Sequence, residues 1–242
     1  MKKVYDTINQ YCVEHELLTN GDGIVIGLSG GMDSVCLLQV LAALRNEWQL
    51  RLVCVHVHHG IRGTAADEDA AFAQRLAAKY NISFRLYEMD IPQLAKEQGL
   101  SEEEAGRNYR YRCFEEVRKE LNFDKIAVAH HRDDQAETVL WQILRGSGLR
   151  GVCGMRAGRA NIIRPLLCLD RQQIEQIVRG NGDGWREDAT NREEKYTRNK
   201  IRNRVFPYIE QEIQPMARRH LAELAEDCQR AWDYIEGQML EQ

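Results

Sequence analysis

The chain predicts a doubly wound α/β fold: a mainly parallel five-stranded sheet with helices on both faces, followed by a C-terminal helical extension. Three observations carry this. Short β-rich runs alternate with helical stretches along most of the sequence, as repeated βαβ units require. One run, Ile24 to Leu28, leads directly into Ser29-Gly30-Gly31-Met32-Asp33-Ser34 and then a helix, the order in which backbone wraps an anion. A length of 242 residues, 43% of them hydrophobic, suits one sizeable domain with an appendage.

In chain order, strands are read near 24–28, 52–57, 83–88, 126–130 and 161–163, and helices near 3–16, 33–46, 64–80, 101–121, 133–145 and 170–180. An open sheet of this kind binds its ligand outside the carboxyl ends of its strands, where strand order reverses. The loops after strands one, two and four carry the polar motifs, so they are expected to share that edge. Gly180-Asn181-Gly182-Asp183-Gly184 reads as a helix stop and exposed loop. Beyond Pro207, Ala217, Leu221, Leu224, Cys228, Ala231 and Ile235 step by three and four, making one apolar seam. That helix reads as docked on its own domain, with a homodimer surface or the lead into a further domain as alternatives.

Composition narrows the class. No apolar run is long enough to span a membrane, and Met1-Lys2-Lys3 precedes no signal-peptide core. The seven cysteines are scattered without a CxxC pair, so they read as small core hydrophobes of a cytoplasmic protein. Net charge is −4, yet residues 145–206 hold 14 basic residues, twelve of them arginine, against 7 acidic ones. A basic stretch in an otherwise acidic chain suits a polyanion, and a solvated face is the plainer reading.

Several constellations point to chemistry. Glycines in the Ser29–Ser34 loop let backbone N–H groups close on a phosphate, and the helix behind them adds its positive end. The loop lacks the lysine of a Walker motif; Asp33 instead offers a carboxylate for the Mg²⁺ of a nucleotide triphosphate. The alternative is a tight turn capped by Asp33 or Ser34. Asp133, Asp134 and Glu137 lie three and four apart on one helical face, suited to Mg²⁺ or to an ammonium group, or to a favourable acidic first turn. His130 and His131 precede them, and His56, His58 and His59 cluster on the second strand; without CxxC or HExxH, zinc is not expected. Arg107 and Arg110 sit three apart on a helix, and Arg145 closes the acidic one. Arg198, Lys200, Arg202 and Arg204, with Asn199 and Asn203, make a basic helix fit for phosphate contacts.

The loop Ser29-Gly30-Gly31-Met32-Asp33-Ser34 resembles that of the PP-loop ATP pyrophosphatases. Four further blocks are similar to tRNA(Ile)-lysidine synthetases: His56-Val57-His58-His59-Gly60-Ile61-Arg62, Glu103 to Tyr111, Ala129 to Thr138, and Arg145-Gly146-Ser147-Gly148 with Gly151 and Gly154-Met155. Asp188-Ala189-Thr190-Asn191, then Arg198-Asn199-Lys200-Ile201-Arg202, resembles that family's exit from its catalytic domain. His58 stands where the family usually has asparagine, and Gly106 where it has alanine. The resemblance implies a catalytic domain over 1–206 and a helical extension or truncated C-terminal region over 207–242. It implies ATP and Mg²⁺ as cofactors, and free lysine and a CAU-anticodon isoleucine tRNA as partners. The implied reaction adenylates the wobble cytidine and lets lysine displace AMP to form lysidine. Ser29, Gly30, Gly31, Met32, Asp33, Ser34, His56, Arg107 and Arg145 would hold ATP, with Asp33 and Glu137 on the metal. Asp33, Asp133, Asp134, Glu137 and His130 would form the catalytic set, and Arg110, Arg198, Asn199 and Arg202 would meet tRNA. A tRNA-thiolating enzyme or a non-catalytic ATP-dependent tRNA-binding module are the alternatives.

Overall fold

Alternate residues of the strand Ile24–Ile26 enter different layers. Val25 joins Val53, Val55, Val57, Ile126 and Val128 against one set of helices, while Ile24 and Ile26 are equally buried on the other side, as the two-residue period of a strand dictates. The computed structural model describes residues 2–58, 64–186 and 197–240 and divides into two compact units: 1–129 with 158–165 and 172–187, and 130–157 with 166–171 and 188–242.

The first unit contains the sheet. Its strands are β1 (Gly23–Gly27), β2 (Arg51–His58), β3 (Ser83–Glu88), β4 (Lys125–Ala127), β5 (Gly158–Arg159) and β6 (Ile162–Ile163), in the order β3-β2-β1-β4-β6-β5. All pairings are parallel except β5 with β6. The sheet therefore has six strands, not five: β5 is a two-residue antiparallel edge with no apolar run to announce it. Strand order reverses between β1 and β4, the position at which such folds bind ligands.

Around the sheet lie α1 (Lys2–Glu14), α2 (Met32–Leu44), α3 (Thr64–Lys79), α4 (Ile91–Gln98), α5 (Glu102–Glu120) and α8 (Arg171–Gly180). Right-handed crossovers place α2 and α3 on one face and α5 on the other, because the chain reverses direction after β3. Phe114 of α5 packs so close to β1 that a Cβ on Gly27 would lie 2.7 Å from its ring. The sequence reading passes over α4, although Asp90 caps its start, Pro92 occupies its first turn and Gly99 closes it at φ +65°.

The second unit is helical: α6 (Arg132–Leu144), α7 (Leu149–Val152), α9 (Thr197–Lys200), a π-helical turn (Ile201–Val205), α10 (Phe206–Glu212) and α11 (Ala217–Leu240). Strand four ends at Ala127, three residues earlier than expected, so His130 lies beyond it. The π turn precedes Pro207, whose missing N–H cannot continue an α-helical ladder; the Phe206 N–H instead reaches Ile201 O, five residues back. α11 docks on α6 and α7, but along a stripe shifted from the predicted seam. Of the predicted seam, Ala217 is buried and Leu221 packs on the Ala136–Ile201–Phe206 cluster, but Leu224 and Ile235 are exposed while Ala222 and Ala225 are buried instead.

Candidate active site

In the first unit, the Ser29–Ser34 loop leaves β1 at the carboxyl edge of the sheet. Gly30 takes φ +89°, a conformation that L side chains adopt only with strain. The loop is braced from within. Ser34 Oγ accepts from Gly30 N at 3.1 Å and from Ser29 Oγ at 3.1 Å, and donates to Gly31 O at 2.8 Å. Gly31 N donates to Ser29 Oγ at 3.3 Å. Gly31 caps α2 without any side-chain hydrogen bond to its first turn, so the positive end of that helix is presented at the loop, where it favours an anion. Asp33 lies in that turn, half-buried. This donor set fits a nucleotide triphosphate, and one carboxylate beside phosphate oxygens fits the way Mg²⁺ is held.

Sequence reasoning missed two residues at this edge of the sheet, one of which holds the loop. The Arg186 backbone N–H donates to Gly30 O at 2.9 Å, while its guanidinium binds Asp69 and Glu68, each at 2.7 Å. The stretch leading to it is anchored by Asp183, which accepts from Gln39 at 2.7 Å, Lys79 at 2.5 Å and Tyr80 at 2.5 Å. The helix stops at Gly180 and Gly182 and Gly184 are exposed, as the turn residues predict, while the Asp183 side chain between them is turned in and only 5% exposed. Arg164 is the second: it directly follows β6 at the carboxyl edge and is buried. Burial lowers its pKa, opposed by Tyr111, with the positive charge of Arg107 also lowering it. Arg107 and Arg110 are both exposed on α5, and the Arg107 guanidinium lies 5.2 Å over the Tyr111 ring.

His56 is buried, with Nδ1 2.8 Å from Leu28 O, the residue that leads into the loop. A carbonyl only accepts, so Nδ1 carries the proton. Burial lowers the imidazole pKa, partly opposed by that hydrogen bond, which keeps His56 neutral and bracing the backbone. His58 is 3.4 Å from Asp67. The remainder of that motif, His59 to Arg62, lies outside the described residues, as does Asp188 to Asn191.

In the second unit, His131 caps α6: its Nδ1 accepts from Asp133 N at 3.3 Å, and Asp134 returns a bond to His131 N at 3.0 Å. The capping box thus joins Asp134 to His131, not to Glu137. Ala136, Ile201 and Phe206 pack together and bring the basic helix onto the acids. Arg198 binds Asp134 at 2.8 Å and Glu137 at 2.9 Å; Arg202 binds Asp134 at 2.8 Å and Glu137 at 2.6 Å. Arg218, its guanidinium 4.2 Å from the Phe206 ring, reaches Glu137 at 3.7 Å. Burial alone would raise the Asp134 carboxyl, but His131, Arg198, His130 and Arg202 hold it well below the usual carboxylate range. Asp133 differs: burial raises it, with Asp170 and Asp134 adding to the rise against His131 and Arg218.

Arginines therefore engage the carboxylate expected to bind metal at Glu137, whose side chain is 0% exposed, and a divalent cation there would first have to displace them. Arg198 and Arg202, read as phosphate contacts, are the groups that engage it. Asn199 is half-buried on α9 between them. Arg145 stacks on Trp141 at 5.7 Å at the far end of α6, roughly 18 Å along the axis from Asp133. Gln135, within the acidic block, holds both the N–H and the carbonyl of Met155, and a Cβ on Gly154 would lie 2.6 Å from its Oε1; this accounts for the Gly154-Met155 pair.

The tRNA(Ile)-lysidine synthase of Caldanaerobacter subterraneus subsp. tengcongensis is 45% identical over 98% of this chain, and that of Clostridium perfringens is 41% identical over 98%. Each match takes in 50% of the relative, so the chain spans about half the length of the curated relatives it matches. Among solved structures, the U34-tRNA thiolase NcsA from Methanococcus maripaludis aligns with TM-score 0.73 at 18% identity, covering 93% of this chain and 78% of that one. An NH3-dependent NAD synthetase from Campylobacter jejuni aligns at 0.53 with 15% identity, over 94% of each chain. Those two likenesses are of fold. The PP-loop domain pattern matches residues 2–209, taking in β1, the braced glycine loop and the uncapped start of α2, and by that match the chain belongs to the PP-loop domain family.

Proposed function

We propose that this chain is the adenylating and lysine-transferring core of a lysidine-forming ligase acting in the cytoplasm on a CAU-anticodon isoleucine tRNA. The observation that carries the reading is the 45% identity to a tRNA(Ile)-lysidine synthase over 98% of this chain. The compartment is read from the cysteines, which are free thiols; no described helix is long and apolar enough to cross a membrane.

In this reading, the C2 oxygen of the wobble cytidine attacks the α-phosphate of ATP and pyrophosphate leaves. The lysine ε-amine then attacks C2 and AMP leaves. The Ser29–Ser34 loop and the first turn of α2 receive phosphate oxygens, and Asp33 would hold Mg²⁺, which would offset charge on the departing pyrophosphate. Arg107 supplies further positive charge at the sheet edge, and Arg110 meets the RNA backbone. His56 holds the root of the loop in place. Asp133, the acid whose pKa is raised, binds the lysine ammonium and takes its proton, a role that calls for a pKa nearer neutrality. His130 and Asp134 complete that end, while Glu137, Arg198 and Arg202 hold Asp134 charged and in place.

The test uses ATP labelled on its α-phosphate, unmodified tRNA and no lysine. Labelled, adenylated tRNA should form and should lose its AMP when lysine is added. Asp33→Asn should abolish the first step; Asp133→Asn should keep the first and slow the second. Absence of label on tRNA with the unsubstituted chain would overturn the proposal.

A further inference from the structure

The end of α6 carries an exposed surface that the adenylation site does not use. Trp141, Leu144 and Arg145 stand at i, i+3 and i+4 and share one helical face. On that face Trp141 is 37% exposed and Leu144 62%, apolar surface of the kind that marks a binding site. Arg145 lies over the Trp141 ring, and Arg150 is exposed on α7. Neither arginine has an ion pair among the described residues, whereas nearby Arg156 is bound to Asp233. From Thr138 to Leu169 the chain contains no acidic residue.

The turn displaying these groups is rigid. Gly146 takes φ +72°, and its N–H returns to Ile143 O at 2.9 Å. Ser147 N–H returns to Gln142 O at 3.0 Å, and Ser147 Oγ donates to Gln142 Oε1 at 2.7 Å. A Cβ on Gly151 would lie 2.5 Å from Ser147 Cβ. The Arg-Gly-Ser-Gly stretch, which by sequence could reach an anion, thus works as a helix stop whose serine is engaged internally.

We infer that Trp141 and Arg145 form a stacking platform for an unpaired RNA base, with Arg150 on the adjoining phosphates. An exposed indole under a guanidinium, beside two arginines with no ion pair among the described residues and on a stretch of chain without acids, matches the way single-stranded RNA is held: flat faces for bases, positive charge for the backbone. An apolar protein surface would leave those two arginines without counter-charges. The inference rests on the proposed function and narrows it to a place where the RNA is gripped.

The full chain is titrated with a CAU-anticodon stem-loop RNA, without ATP or lysine, at two salt concentrations. Trp141→Ala should weaken binding by about tenfold at an unchanged salt slope, Trp141→Phe should recover most of the loss, and Trp141→Leu should not. Arg145→Ala with Arg150→Ala should lower the salt slope by roughly 1–2. Trp141→Ala and Trp141→Leu variants that bind within twofold of the parent would overturn the platform, as would failure of the parent to bind. A shift in sedimentation on Trp141→Leu, with RNA affinity kept, would assign the patch to a second copy instead. Loss of lysine transfer with the platform effects intact would sink only the proposed reaction; full transfer with no platform effect would sink only this inference.

Discussion

Replacing Glu137 by Gln keeps the volume of the buried side chain and removes its charge. Its two oxygens accept from Arg202 at 2.6 and 2.9 Å and from Arg198 at 2.9 Å, with Arg218 at 3.7 Å. Breaking a buried pair by removing one partner costs about 3–5 kcal/mol. Here Arg198 and Arg202 are 38% and 32% exposed and keep Asp134 as partner, so part of the loss is recovered in solvent, leaving about 2–3 kcal/mol. At about 2–4 °C per kcal/mol for a chain of this size, Tm should fall by about 5–10 °C. Circular dichroism melting of Glu137→Gln, Arg202→Gln and the double variant is the assay. Because the two groups share one network, the double variant should fall short of the summed losses by about 1 kcal/mol or more. A Glu137→Gln melt within about 1 °C of the parent would refute the reasoning that this cluster holds the basic helix on α6.

Three other outcomes are expected. Asp134 has a folded pKa below its ordinary 3.8, so its stabilisation is complete above that value and is lost as pH falls below about 4; Asp134→Asn should flatten the acid limb of a denaturant-melting series against pH. His56 also has a lowered folded pKa, against an ordinary 6.5, so stability should decline as pH falls below about 6.5, and His56→Gln should remove that slope. Gly30→Ala meets only ordinary contacts, the nearest being Phe72 at 3.5 Å, so its φ of +89° sets the cost at about 1–2 kcal/mol; ATP titration should show weaker binding with a modest fall in Tm.

Local signals account for what the sequence made legible. The apolar runs at Ile24 and Leu52 and the glycine pair at Gly30 each declare themselves within a few residues, and β1, β2 and the loop stand where they were read. β5 escapes because two exposed residues, Gly158 and Arg159, have no side-chain pattern. The π turn escapes because no side-chain period distinguishes it from the helix it joins; only Pro207 just beyond it marks a break in the ladder. Most consequential is the pairing of charges. Asp134 and Glu137 read as partners for metal or lysine, and Arg198 and Arg202 as partners for phosphate; the fold gives them to one another across 61 to 68 positions of sequence. Charge and helical face are local properties, but the choice of counter-ion depends on which helices pack, and that is decided by Ala136, Ile201 and Phe206.

Nucleoside mass spectrometry tests the central claim most directly: the chain is incubated with unmodified CAU-anticodon isoleucine tRNA, lysine and Mg·ATP, and the digested tRNA is then analysed. The account predicts a lysyl-substituted cytidine at the wobble position, dependent on ATP and absent with Asp33→Asn. An unmodified wobble cytidine, with ATP bound and tRNA bound, would contradict it.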